Sequence, residues 1–119
     1  MSKMIDCYDS IKSNEVKIIE VSPDEHYQIK LKDNVTTGYW WIYEIENKNE
    51  NQTFTEEIGK ESLPTEQSMK GYIGAPTVLI YTFKSKKSDT IKFYHVRPWL
   101  KQKTSELVSN FEIQVCIKN

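Results

Sequence analysis

A chain of 119 residues with 38 % hydrophobic and 12 % aromatic content is long enough for one domain with a genuine core, and too apolar for a disordered chain. Its formal net charge of −1 argues against nucleic acid or an anionic membrane as the main partner, since both select a basic surface. No window approaches the roughly 20 apolar residues of a membrane helix, and the opening MSKMIDCYDS lacks the apolar h-region of a secretory signal, so a cytoplasmic location is expected.

Residues 1–14 read as a lead-in, either flexible or an extra edge strand, and residues 15–119 as a single domain. Val16 to Val21 is the first clear strand, because apolar and polar residues alternate with period two. Ser22-Pro23-Asp24-Glu25 is a turn with proline at a favourable position. Tyr27, Ile29 and Leu31 alternate with Gln28, Lys30 and Lys32 in a half-buried strand, and Tyr39 to Ile45 is the heaviest strand of the chain. Glu46 to Gln52 is a polar turn, and Thr53 to Ile58 a short strand. A loose region from Gly59 to Pro76 carries the breakers Pro64, Gly71, Gly74 and Pro76.

Thr77 to Lys84 sets Leu79, Tyr81 and Phe83 on one strand face, and Ser85 to Asp89 is a charged turn. Thr90 to Arg97 sets Ile91, Phe93 and His95 on one face and stops at Pro98. After the polar stretch from Lys101 to Ser109, Phe111, Ile113, Val115 and Ile117 form the closing strand. Some seven or eight strands, with turns at intervals of roughly 8–12 residues, predict an all-β, immunoglobulin-like antiparallel β-sandwich. In such a fold the loop around Asn34 to Gly38, the region up to Pro76 and the loop from Arg97 onward leave from the same end.

Few residues offer chemistry. Cys7 and Cys116 have no CxxC partner, and with only His26 and His95 beside them no recognisable zinc spacing exists. A bridge between the two cysteines is geometrically conceivable, but a reducing compartment favours free thiols. His95 makes a poor activator for a Cys7 or Cys116 nucleophile. His95 faces inward on its strand while Cys116 points to the opposite face of its own, so a structural histidine is the better reading. Glu56 and Glu57 are neighbours on a strand, point to opposite faces and make a poor acid–base pair. Lys84, Lys86, Lys87 and Lys92 read as a solvated edge that discourages edge-to-edge pairing. Trp40, Trp41, Tyr43, Tyr81 and Phe93 read as core and sheet-face residues. No catalytic residue, metal or cofactor is expected.

Three loop segments each admit two readings. Asn34-Val35-Thr36-Thr37-Gly38 is either a turn satisfied by its own hydroxyls or a loop built for insertion. Arg97-Pro98-Trp99 either folds back over the sandwich end or supplies the residue types enriched at binding hot spots. Gly71-Tyr72-Ile73-Gly74-Ala75-Pro76 allows a tight turn or a close backbone approach to a partner.

Taken together and in this order, NVTTGYWW, IGAP and RPW resemble the chagasin family of protein inhibitors of papain-like cysteine proteases. That family carries an NPTTG[FY] loop, a glycine-rich GxGG-type loop and an RPW loop on an immunoglobulin-like fold. The likeness runs from about Val16 to the C-terminus. Asn34, Thr36, Thr37, Gly38 and Tyr39 match the first motif. Gly74 and Ala75, between Ile73 and Pro76, match the start of the second, and Arg97, Pro98 and Trp99 match the third. The resemblance implies a non-enzymatic, reversible, tight-binding competitive inhibitor, a monomer when free. Its first loop would enter the active-site cleft with Thr36 and Thr37 near the catalytic pair, while the other two grip either side. Trp99 would be the apolar anchor, and Arg97 would pair with an enzyme acid or brace Trp99.

Two departures stand out. Val35 replaces the family's stiffening proline, and Pro76 and Thr77 stand where two glycines are usual. With valine at position 35, Asn34-Val35-Thr36 becomes a glycosylation sequon, as is Asn51-Gln52-Thr53. The alternative function is an immunoglobulin-like interaction or adhesion module that ignores proteases. A small thiol hydrolase is the third.

Overall fold

The computed structural model describes residues 3–8, 15–33, 38–65, 69–71, 76–97 and 109–118. Eight strands lie among them: β1 (Lys3–Asp6), β2 (Glu15–Val21), β3 (Tyr27–Asp33), β4 (Trp40–Glu46), β5 (Thr55–Pro64), β6 (Thr77–Ser85), β7 (Asp89–Val96) and β8 (Phe111–Ile117). They form two four-stranded sheets, ordered β1-β3-β6-β5 and β2-β8-β7-β4. From β3 onward this is the strand order of an immunoglobulin-like sandwich. The inner ladders are antiparallel, but β1 pairs with β3 and β2 with β8 in parallel. Neither pair is joined by a hairpin, so the connection does not impose an antiparallel direction.

Strand alternation locates the core. Tyr27, Ile29 and Leu31 of β3, Leu79, Tyr81 and Phe83 of β6, Ile91 and Phe93 of β7, and Phe111, Ile113 and Val115 of β8 are all buried. Rings carry much of the contact between sheets. Tyr43 of β4 meets Phe83 of β6 edge-on at 5.1 Å between centroids, and its hydroxyl donates to Glu57 Oε1 of β5 at 2.9 Å. Edge-on geometry sets the positive ring edge against the negative face of its neighbour.

Two readings of the sequence are overturned. The short strand ending at Ile58 runs on to Pro64, so the first part of the expected loose region, Gly59 to Pro64, is strand. β5 is an edge strand exposed along almost its whole length, which erases the alternation of a half-buried strand. A register shift between Glu57 and Gly59 leaves Ile58 as the extra residue of a bulge, and Pro64 is tolerated because edge strands need not donate on both sides. The lysines do not form one edge. Lys84 and Lys92 lie on β6 and β7, which are interior strands, and pair with Glu56 at 3.7 Å and Glu46 at 3.1 Å. Strand order decides what is an edge, and alternation does not encode strand order.

The end of the sandwich around residues 46–54 and 85–89 is closed by a buried polar network. Asp89 accepts from Phe54 N at 2.7 Å, Thr55 Oγ1 at 2.6 Å and Asn47 Nδ2 at 3.0 Å. Ser85 Oγ then links Thr55 Oγ1, at 2.6 Å, to the Tyr27 hydroxyl, at 2.7 Å. The network joins both sheets. Asp89→Ala should cost about 1.5–3 kcal/mol, because it strands buried donors that have lost a charged acceptor. Urea titration of the two proteins measures this, and a loss under 0.5 kcal/mol, taken as a rough limit for an inert surface change, would contradict it.

Candidate functional site

The opposite end of the sandwich carries the stems of the three motif segments. In the first sheet Asp33, the last residue of β3, pairs with Thr77, the first of β6, which also pairs with Pro64, the last of β5. In the second sheet Trp40, the first of β4, pairs with Val96, the last of β7. The segments that follow β3, β5 and β7 therefore all leave from this end. Asn34, Val35, Thr36, Thr37, Ile73, Gly74, Ala75, Pro98 and Trp99 lie outside the described residues, while Gly38, Tyr39, Pro76 and Arg97 lie within them.

Each stem is tied down. Gly38 has φ +77°, a left-handed backbone that glycine adopts without steric cost. Thr65 Oγ1 donates to Pro76 O at 2.7 Å, which closes the base of the segment between β5 and β6. Thr77 Oγ1 makes a longer contact of 3.4 Å to Asp33 O. Trp41 Nε1 donates to Lys32 O at 2.8 Å, joining the start of β4 to the end of β3, and so the two sides of the first segment.

A column of flat groups runs inward from this end. The Arg97 guanidinium sits 4.6 Å from the centroid of the Tyr39 ring, a cation–π contact. Tyr39 stacks on His95 at 5.1 Å, and His95 lies against Trp41 at 4.6 Å. Trp41 meets Phe111 at 5.6 Å and Phe93 at 6.3 Å, both edge-on. Arg97 therefore has an intramolecular aromatic partner. The side chain of Trp41 is core, whereas Trp40, one residue earlier, is 55 % exposed. A cleft of about 470 Å³ opens beside it, lined by Asp33, Trp40, Trp41, Lys60 and Leu79.

His95 and Asn110 were not read as part of this site from the sequence. His95 N donates to Asn110 Oδ1 at 2.9 Å, and Asn110 N donates to Phe93 O at 2.8 Å. Alternation alone put His95 on the inward face with Phe93. The cross-strand pairing of Trp41 with His95 is what sets it between loop stems. Burial lowers the His95 pKa below the ordinary histidine value, and the nearby Asp33 carboxylate offsets part of that shift.

The cysteines do not assemble a nucleophile with His95. Both are free. Burial pushes the Cys7 thiol up to about 12, so it stays protonated at neutral pH. Cys116 is exposed, and its neighbour Val115 pairs with Asp89 at the far end of β7 from His95. At about 3.3 Å per strand residue that separation is on the order of 20 Å.

Comparison with known proteins agrees with this geometry. No curated protein matches the chain in sequence. Among solved structures, EhICP2, a cysteine protease inhibitor from Entamoeba histolytica, superposes with a TM-score of 0.67 at 20 % identity, covering 98 % of this chain and 97 % of its own. PbICP-C, solved in complex with falcipain-2, gives 0.63 at 21 % identity, covering 98 % and 100 %. Amebosin gives 0.63 at 17 % identity, covering 99 % and 100 %. These likenesses establish the fold. The family model described as chagasin family peptidase inhibitor I42 matches residues 20–115, most of the chain, and the protein belongs to that family of peptidase inhibitors.

Proposed function

We propose that this protein is a reversible, competitive, tight-binding inhibitor of a papain-like cysteine protease. Residues 34–38 enter the active-site cleft, and the segments around Ile73 to Pro76 and Arg97 to Trp99 hold either side. The observation that carries this reading is the convergence of all three motif stems on one end of a rigid sandwich. EhICP2, named as a cysteine protease inhibitor, and PbICP-C, captured with falcipain-2, support it.

The protein does no chemistry in this scheme. Its contribution is preorganisation: stems fixed before binding lose little entropy on docking. Thr36 and Thr37 offer hydroxyl and backbone groups to the catalytic centre. Gly38 turns the chain back towards β4. Without proline at position 35, stiffness comes from the bonds behind the loop, above all Trp41 to Lys32 and Tyr39 to His95. The contact would bury about 1,600 Å², a standard interface.

Titration against papain with a fluorogenic peptide substrate tests the reading. Inhibition should be competitive and reversed by dilution. Thr37→Ala should weaken it about tenfold, the equivalent of 1.4 kcal/mol, with an unchanged thermal midpoint. Absence of inhibition at micromolar protein would leave the adhesion-module reading in its place.

A further inference from the structure

We propose that His95 is a proton-controlled positioning residue: in its neutral form it clamps the stems of the first and third loops together, and its protonation loosens them and weakens inhibition. This rests on the inhibitor reading above and adds its regulation.

The geometry has three parts. The ring lies against Tyr39, which continues the first loop, and against Trp41, whose indole N–H bonds to the other side of that loop at Lys32 O. Its backbone N–H bonds to Asn110, just before β8, so the far stem of the third loop joins the same cluster. Its Nε2 is buried and has no hydrogen-bond partner among the described residues.

That last feature makes the clamp sensitive to protons. A neutral imidazole protonated at Nδ1 leaves at Nε2 only an unmet lone pair. Imidazolium carries N–H on both nitrogens, so Nε2 would present a charged donor where the described residues offer it no acceptor, a far costlier orphan. Among the described residues, the charged and titratable groups facing the ring are few. Asp33 at the end of β3 favours the cation. Tyr39 before β4 lies stacked against it. Arg97 after β7, already against Tyr39, would oppose a second positive charge in the same column. Trp41, Phe93 and Asn110 carry no charge.

The folded-state pKa is lowered, so the unfolded chain takes up the proton first as pH falls. The stability that the neutral clamp contributes is fully present above the unfolded value of about 6.5 and is lost progressively as pH falls towards the lower folded value, around which the ring itself takes up the proton and the clamp loosens. One proton limits the slope to about tenfold per pH unit.

The test compares wild type with His95→Phe, which keeps a flat ring and cannot titrate, as inhibitors of papain between about pH 8 and pH 5. The wild-type inhibition constant, divided by that of the variant at each pH, should rise about 3- to 10-fold on the acid side of about pH 6.5. A ratio flat across that range, with inhibition intact at pH 8, overturns the switch and leaves the inhibitor reading standing. Absence of inhibition at pH 8 overturns both the inhibitor reading and control of inhibition. The clamp itself is judged without a protease by NMR of the free protein. The Trp41 indole N–H resonance should move with a single titration in wild type and stay fixed in His95→Phe. A resonance that is static in both refutes the clamp.

Discussion

Trp41→Ala should reduce the unfolding free energy by about 3–5 kcal/mol, the range for truncating a large buried aromatic side chain. Few positions combine so many constraints. Trp41 is 5 % exposed and meets Phe93, Phe111 and His95. Its indole N–H satisfies Lys32 O across the gap between sheets. Alanine removes the rings' partner, opens a cavity and strands a carbonyl. Total stability of a domain this size is about 5–15 kcal/mol, so the change spends a large part of it. Equilibrium urea denaturation gives the value from the midpoint at constant slope. A loss below 1 kcal/mol would mean that the column is not a structural support.

Trp99→Ala should do the reverse. It should weaken inhibition about 30-fold, equivalent to about 2 kcal/mol for an interface hot spot, and leave the thermal midpoint nearly unchanged. The reason lies in the chain around it. Trp99 follows Pro98 in the RPW motif, two residues beyond Arg97, β7 ends at Val96, and the Arg97 guanidinium is engaged with Tyr39. Measurement pairs an inhibition constant with a melting curve for each variant. If Trp99→Ala lowers the midpoint as Trp41→Ala does, its ring belongs to the fold and the proposed anchor is wrong. The two tryptophans thus separate the support of the site from its reach.

The strands that carry one buried face were legible in the sequence, because period-two alternation records burial directly. Tyr27 to Leu31, Thr77 to Lys84 and Phe111 to Ile117 are such cases. β5 was not legible past Ile58, since an edge strand exposed on both faces has no alternation to read. The Asp89 network was invisible for a different reason. Its members, Tyr27, Asn47, Thr55, Ser85 and Asp89, come from five separate segments, and each looked like an ordinary turn or strand-end residue. For the candidate site, the motifs NVTTG and RPW named its parts, but not what holds their stems.

By itself the sequence determined the fold class and the family, because both are carried by local patterns: alternation along strands and short motifs at fixed spacing. Tertiary structure alone decided that Arg97 rests on Tyr39, that His95 lies between Tyr39 and Trp41, and that one tryptophan of the pair at 40 and 41 is core while the other is exposed. These are cross-strand facts. They depend on which residues of β4 and β7 share a rung, and a shift of one residue in that register would turn every side chain to the other face.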